Sequence, residues 1–227
     1  MGASLAYGGD LRKGGFTRTL ISLLRTYSRE DRPAAQRVRF YLAQPVWSGM
    51  SEGDAADLAL YGTPVRVGGT DDGVGRREGE ALDYRAMRKR MINETDARVA
   101  VGGRLAGQSG RWPGIAEEAY FALREAQPLF LVGGLGGAAD RVAQALRGEW
   151  PVEFTTEYQL AHTDGYRDLL DAGVGTSESD LRQVLTGAGL QNGLSDDENA
   201  VLFKTADLDL VVALILRGLT GVAEGER

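Results

Sequence analysis

Short apolar runs without polar alternation recur along the chain, and a Gly-Gly pair follows several of them. The clearest runs are Leu5–Tyr7, Val99–Val101 and Phe130–Val132, and Val65–Val67 is a weaker example. Runs of this kind are typical of strands that are buried on both faces of a parallel sheet. A glycine directly after such a strand allows a tight turn and lets backbone N–H groups approach a ligand.

Between these runs, apolar residues recur at the spacing of one helix face. The pattern predicts helices over residues 16–27, 52–61, 81–92, 115–126 and 138–146, and a further strand over residues 38–42. Residues 68–80 and 102–114 are rich in glycine and are predicted to be loops. The alternation of strands and helices predicts an α/β fold with a parallel sheet. The length favours a single domain over residues 1–227.

The segment after residue 147 gives a weaker pattern. It predicts a helix around residues 166–170, loops over residues 173–179 and 187–195, and a final helical region over residues 196–219. Residues 208–216 make this last helix apolar nearly all round, so a second element must cover its other face. We therefore expect a homodimer or higher oligomer through this helix. The alternative is that the helix is central to its own core.

Amino-acid composition narrows the chemistry that the chain can perform. The chain has no cysteine and one histidine, which excludes a disulfide scaffold and a thiol nucleophile and makes a zinc hydrolase improbable. We expect neither a metal nor a cofactor. A formal net charge of −6 argues against a nucleic-acid partner. The longest apolar run, Leu210–Leu216, is too short for a membrane span, and no signal peptide is evident, so we expect a cytoplasmic protein without a membrane partner.

Three glycine junctions between a strand and a helix are the candidate ligand sites, because ligands of open parallel sheets bind beyond the carboxyl ends of the strands. At the first junction, the following helix offers N–H groups and a positive dipole end to an anion, and Arg12 and Lys13 could add charge. The junction matches neither GxGxxG nor GxxxxGKS/T, so neither of those phosphate-binding fingerprints is supported. A tight turn that needs a positive φ is the alternative. The candidate binding residues are Gly8, Gly9, Asp10, Arg12, Gly14, Gly15, Phe16 and Thr17.

The second junction, residues 101–118, is the most specific feature of the chain. A buried strand leads into a glycine loop with two arginines, and the next helix opens with Pro-Gly and has two carboxylates in its first turn. Arginines over a helix N-terminus suit a phosphate, and a carboxylate beside them can accept both hydroxyls of a ribose. An acidic first turn that only complements the helix dipole is the alternative. The candidate residues are Gly102, Gly103, Arg104, Gly110, Arg111, Trp112, Pro113, Gly114, Glu117 and Glu118.

The run GGRxxGxxGRxPGIxEE within this junction resembles the SLOG superfamily, the nucleotide-sensing relatives of the LOG-type phosphoribohydrolases. It is similar to a stretched form of their PGGxGTxxE signature, with Glu118 at the acidic position and Glu117 one place before it. The segment Tyr84–Met91 fits the same pattern. So does the third junction, whose candidate residues are Gly133, Gly134, Leu135, Gly136 and Gly137.

This resemblance implies a Rossmann-like three-layer fold with a mostly parallel central sheet and a nucleotide-derived small-molecule ligand. SLOG domains of bacterial defence systems sense cyclic ADP-ribose-type signals and are often fused to TIR, sirtuin-like or membrane effectors. We therefore expect a sensor of antiphage defence that binds an ADP-ribose-derived nucleotide and signals through oligomerisation to a fused or associated effector. The first strand begins close to Met1, as in a domain excised from a larger protein.

Two other functions stay open. An N-glycoside hydrolase acting on a nucleoside monophosphate would use Glu118, or Glu117, as its catalytic carboxylate, and an oligomerisation module with a vestigial pocket is the third reading. The insertion between Gly103 and Pro113 departs from the compact spacing of the enzymes, which favours binding over hydrolysis. Trp112, inside the loop, is the foremost candidate for stacking on a base.

Overall fold

The computed structural model describes residues 3–9, 11, 16–27, 38–69 and 75–225. Contacts within the chain divide it into two compact units, Met1–Met91 (the N-terminal unit) and Ile92–Arg227 (the C-terminal unit). The single domain expected over residues 1–227 stays a prediction. Four of the predicted site residues lie outside the described residues, namely Asp10, Arg12, Gly14 and Gly15, as does Lys13.

The N-terminal unit contains a parallel three-stranded sheet. Its strands lie in the order β1 (Leu5–Gly8), β2 (Val38–Ala43) and β3 (Thr63–Val67), and its helices are α1 (Phe16–Tyr27), α2 (Gln44–Ser48), α3 (Glu52–Tyr61) and α4 (Arg76–Asn93). β2 is the middle strand: its Val38 lies opposite Leu5 of β1, and its Arg39 lies opposite Thr63 of β3. Alternate residues of β2 enter different apolar clusters, one with α1 and α3 and the other with α4. Helices therefore cover both faces of this sheet.

Helix α4 begins five residues earlier than the sequence predicts. Residues 76–80, which are predicted to be part of a loop, form its first turn. Arg76 Nε donates to Glu80 Oε1 at 3.2 Å, an i,i+4 pair that supports an exposed helix start. Residues 76–80 are charged apart from Gly79, so this turn contains no apolar residues whose spacing could predict a helix.

The C-terminal unit contains a parallel two-stranded sheet of β4 (Arg98–Val101) and β5 (Leu129–Val132). Its helices are α5 (Gly114–Arg124), α6 (Gly137–Leu146), α7 (Thr156–His162), α8 (Tyr166–Asp171), α9 (Glu178–Gly187), α10 (Asp196–Leu202) and α11 (Leu208–Gly225). Leu129 and Leu131 of β5 pack with α5, α6 and α9, whereas Phe130 and Val132 pack with α10 and α11. Every described strand pair is parallel, and helices lie on both faces of each sheet. The predicted α/β class with a Rossmann-like layered fold is confirmed.

The sequence prediction is least accurate after residue 147. Helix α7 is absent from the prediction, and Glu178, predicted in a loop, begins α9, where the Ser177 side chain accepts from the Asp180 N–H. The final helical region consists of two helices separated by residues 203–207. Ala126, predicted on the buried face of α5, follows that helix with a φ of 53° and is exposed. None of the described helices combines the length and the apolar character that crossing a membrane requires.

Candidate functional site

The loop after β4 presents its backbone at the carboxyl end of that strand. Gly102 and Gly103 adopt left-handed φ values of 60° and 94°. A side chain at Gly102 would enter open space, whereas a Cβ at Gly103 would lie 2.6 Å from Ile115 Cγ1. The next residue, Arg104, is exposed. Glycine therefore permits a sharp turn close to the start of α5, and the turn ends in an accessible arginine.

Buried polar groups of α7 and the residue after it hold the middle of this loop. Gln159 is completely buried; its Nε2 donates to the Leu105 carbonyl oxygen at 2.8 Å, and its Oε1 accepts from Gln108 Nε2 at 2.8 Å. Thr163 Oγ1 donates to the same Oε1 at 2.8 Å and accepts from the Gly107 N–H at 2.9 Å. Because Gln159 and Thr163 are buried and bonded to three residues of the loop, they hold its middle in a defined conformation.

Trp112 fixes the end of the loop. Its indole is completely buried, and Nε1 donates to the Thr176 carbonyl oxygen at 2.8 Å. The ring packs edge-on against Tyr166, with centroids 6.3 Å apart. Complete burial removes the indole from contact with a ligand base, which corrects the stacking role predicted for it. Gly110 and Pro113 are buried on either side of it.

The structure separates the two arginines of the loop. Arg104 is exposed, whereas Arg111 is partly buried and its guanidinium lies 5.9 Å from the centre of the Trp112 ring. A Cβ at Gly175 would lie 2.9 Å from Arg111 Cβ, so this side chain is tightly packed. Burial raises the pKa of the Tyr166 phenol above its ordinary value, and the adjacent Arg111 opposes that shift. Arg104 is therefore the better placed arginine for a ligand phosphate, and ligand contact by Arg111 stays a prediction.

The two predicted carboxylates lie in the first turns of α5. Pro113 occupies the N-cap position, and the Glu117 N–H donates to its carbonyl oxygen at 3.0 Å. The three amides of α5 before Glu117 precede this bond, which is the arrangement of an anion site at a helix N-terminus. Glu117 itself is only 3% exposed, and Glu118 forms a largely buried ion pair with Arg98 of β4. Glu118 is thus already engaged by a cation of its own chain.

The third junction is joined to the second through the start of α6. The N–H groups of Ala138 and Ala139 donate to the carbonyl oxygens of Gly103 (3.1 Å) and Gly102 (2.8 Å). Gly137 has a φ of 71°, and a Cβ there would lie 2.5 Å from the Gly103 carbonyl oxygen. The structure therefore brings the second and third junctions together beyond the carboxyl ends of β4 and β5. The N–H groups of Ala138 and Ala139 therefore bind the loop of the second junction.

The Gly-Gly pair of the third junction permits close packing of backbone on backbone. A Cβ at either residue of Gly133–Gly134 would overlap a carbonyl oxygen of the segment between α10 and α11, that of Phe203 or that of Thr205. Leu135 is 46% exposed, and Gly136 has open space around its Cα. This turn therefore presents Leu135 and Gly136 at the surface, while the pair before them lies against the chain.

The first junction lies in the N-terminal unit. A Cβ at Gly8 would lie 2.7 Å from Met91 Sδ, and one at Gly9 would lie 2.8 Å from Thr17 Oγ1. Thr17 is completely buried, whereas Phe16 is 59% exposed. These contacts give both glycines a packing role between strand and helix. Their contact with a ligand, and that of Phe16 and Thr17, stays a prediction.

The residues outside the loop that hold it in place give only a weak signal in the sequence. Thr155, Gln159 and Thr163 recur every four residues, and such a polar row on one helix face is the signal that could have revealed α7. The backbone acceptor at Thr176 has no sequence signal. Within the parts of the chain that the structure describes, no three histidine, aspartate or glutamate side chains come together as metal ligands.

Comparison with known proteins places the chain in a family. A search of curated proteins and a search of solved structures each return no match. The model of a family described as SLOG cluster2 matches residues 1–73 and 77–202, which include all three glycine junctions and end with α10. Because this match covers most of the chain, the protein belongs to the SLOG superfamily, in the family SLOG cluster2.

Proposed function

We propose that this protein is a sensor domain that binds an ADP-ribose-derived nucleotide, of the cyclic ADP-ribose type, at residues 102–118, the loop after β4 and the first turn of α5. Membership of the SLOG superfamily indicates a nucleotide-related domain. One structural observation carries the finer proposal: buried bonds from Gln159 and Thr163 hold the loop, while its Gly102–Arg104 turn stays accessible. A loop fixed in this way loses little conformational freedom when a ligand binds.

A phosphate would bind at the Gly102–Arg104 turn and at the amides that open α5. The guanidinium of Arg104 would add charge-assisted hydrogen bonds, and Gly136, where an added Cβ would meet nothing within 4 Å, would let the phosphate approach the neighbouring turn. Arg111 would act indirectly, because its guanidinium packs on the Trp112 ring and so keeps the end of the loop in place.

The state of Glu118 supports binding over hydrolysis. A hydrolase that cleaves an N-glycosidic bond needs a carboxylate that reaches the sugar as positive charge develops on it. Here Glu118 is paired with Arg98, and Glu117 is 3% exposed. We therefore propose that the protein binds the nucleotide without turning it over, and hydrolysis by Glu118 is the alternative that the test below decides.

Signalling through self-association is proposed for α11. Val211 and Leu214 are buried, whereas Leu208 (62%), Val212 (54%) and Leu216 (51%) form an exposed apolar row at four-residue spacing. Because exposed apolar side chains gain by burial against a partner, we propose that this row is an interaction surface for a second copy of this chain.

The charges on α11 favour an antiparallel pair of these helices. Asp209 and Arg217 lie eight residues apart with Ala213 midway, so a two-fold pairing centred on Ala213 places each Asp209 beside Arg217 of the other copy. Arg217 remains 71% exposed although it pairs with Glu198. The resulting dimer would act on an effector of bacterial antiphage defence in the cytoplasm.

A nucleotide panel tests this function. ADP-ribose, cyclic ADP-ribose, NAD and AMP are each added to the protein, and melting temperature and released base are recorded. We expect ADP-ribose or cyclic ADP-ribose to raise the melting temperature and to stay intact. Arg104→Ala should weaken binding by about 1.5–3 kcal/mol in a calorimetric titration, while Arg167→Ala, an exposed arginine on α8, should not.

Two outcomes contradict the proposal. If none of the four compounds shifts the melting temperature, the protein is not a sensor of this ligand class. If it releases base faster than about 1 s⁻¹, a typical enzyme rate, it is a hydrolase, and Glu118→Gln should then abolish the activity.

A further inference from the structure

Most aromatic rings of the C-terminal unit are unavailable to a ligand. Seven of them are buried: Trp112, Tyr120, Phe121, Phe130, Phe154, Tyr166 and Phe203. Trp150 packs against the ring of Phe154 at 5.8 Å and under the guanidinium of Arg182 at 4.8 Å. Among the described residues 92–225, only the rings of Tyr158 and His162 are left, and both belong to α7.

These two rings form a preformed stack at the surface. Their centroids are 4.0 Å apart and their planes differ by 17°. His162 Nδ1 lies 2.8 Å from the Tyr158 carbonyl oxygen, which can only accept, so Nδ1 carries the proton and this bond fixes the imidazole plane. His162 is exposed, and the face of its ring that points away from Tyr158 has no aromatic partner among the described residues.

The stack belongs to the same stretch of helix that holds the ligand loop. Gln159 follows Tyr158 and binds the Leu105 carbonyl oxygen, and Thr163 follows His162 and binds the Gly107 N–H. Gly107 is exposed, and a side chain there would meet nothing within 4 Å. The stack and the loop are therefore fixed to one another by two hydrogen bonds.

We propose that the outer face of His162, backed by Tyr158, is a nucleobase subsite on which the aromatic heterocycle of the ligand stacks. The proposal rests on the nucleotide-sensing function above and adds the position of the base to that of the phosphates near Arg104. Because the stack exists before binding, a base that extends it orders little of the protein. Stacking on an aromatic side chain strengthens binding roughly 5- to 150-fold per base.

The single histidine of the chain makes a direct test simple. Its ring protons give signals that need no assignment, because no other histidine is present. Proton NMR spectra are recorded with ADP-ribose and with ribose 5-phosphate, which lacks the base. We expect the His162 signals to move upfield with ADP-ribose and to stay in place with ribose 5-phosphate.

Affinity measurements give the second readout. His162→Ala should weaken ADP-ribose binding roughly 5- to 150-fold and leave ribose 5-phosphate binding unchanged. Leu160→Ala is the matched control, because Leu160 is 37% exposed on the same helix.

The two readouts separate failure of the subsite from failure of the function. If ADP-ribose binds with the same affinity to His162→Ala and leaves the His162 signals of the wild type unmoved, the subsite is refuted and the sensor function stands. If the wild type binds none of the four nucleotides of the panel, both proposals fail.

Discussion

Replacing Gln159 by alanine tests whether buried polar contacts hold the loop between β4 and α5, where the ligand is proposed to bind. Its side chain makes four hydrogen bonds of 2.7–2.8 Å, two donated to the carbonyl oxygens of Leu105 and Glu153 and two accepted from Gln108 and Thr163. A hydrogen bond contributes about 1 kcal/mol net, and a buried partner left unpaired costs about 1–3 kcal/mol. Water that enters the cavity satisfies some of these groups. We therefore expect a loss of about 3 kcal/mol, a large part of a typical stability of about 5–15 kcal/mol.

Urea titration followed by circular dichroism measures this loss as a shift of the midpoint at an unchanged slope. Leu160→Ala, an exposed change on the same helix, should cost less than about 0.5 kcal/mol. Thr163→Val removes only the hydroxyl; it should cost about 1–2 kcal/mol and should speed hydrogen exchange at the Gly107 amide. A Gln159→Ala variant within about 0.5 kcal/mol of the wild type, with unchanged protection of Gly107, would refute the anchoring role.

Three further predictions concern the core, the proposed dimer and alkaline pH. Arg98→Ala should cost about 3–5 kcal/mol in urea titration because it removes the buried cation that pairs with Glu118, and Arg98→Met combined with Glu118→Leu should recover most of that; equal losses would contradict the ion-pair argument. Val212→Asp with Leu216→Asp should give the 24.4 kDa monomer in light scattering, whereas a monomeric wild type would rule out the dimer. Because burial raises the pKa of Tyr166 above its ordinary value, its contribution to stability is complete below about pH 10 and is lost as pH rises through the raised value. An absorbance titration should show a late tyrosine that Tyr166→Phe removes; no late step would contradict the burial argument.

The strands and the glycine junctions could be predicted because their signals are local. A short apolar run followed by glycine contains both the buried strand and its turn within a few residues, as at Val99–Gly103. Helix α1 is equally local, and its observed bounds, Phe16–Tyr27, are those predicted. The first turn of α4 shows the limit of this rule, since an ion pair rather than apolar spacing supports it.

The contacts that shape the site could not be predicted, because their partners are far apart in the sequence. Trp112 donates to a carbonyl 64 residues away, and Gln159 binds the loop across 54 residues. A tryptophan in a glycine loop has the same sequence signature whether its ring faces a ligand or the core. Only the later segment at Thr176 decides between these, and the sequence predicts that segment only as a loop.

The sequence also cannot show whether a glycine after a strand leaves space for a ligand or permits close packing of the backbone. Gly102 and Gly136 have open space around them, as glycines near a ligand should. Gly133–Gly134 and Gly137 lie against carbonyl oxygens of the chain instead. In the sequence both kinds occur in the same position, directly after a buried strand, and only the three-dimensional contacts distinguish a binding glycine from a packing one.

A sensor needs a physical connection between the ligand loop and the surface that responds, and in the C-terminal unit this connection is short. The carbonyl oxygens of the Gly102–Gly103 turn accept the first amides of α6, and the Gly133–Gly134 pair before α6 lies against the backbone at Phe203 and Thr205. Helix α11 begins three residues later, at Leu208. If the proposed function holds, a ligand that favours one arrangement of the loop would act on the start of the proposed dimer helix through these backbone contacts, and a difference in affinity between two arrangements would shift the population.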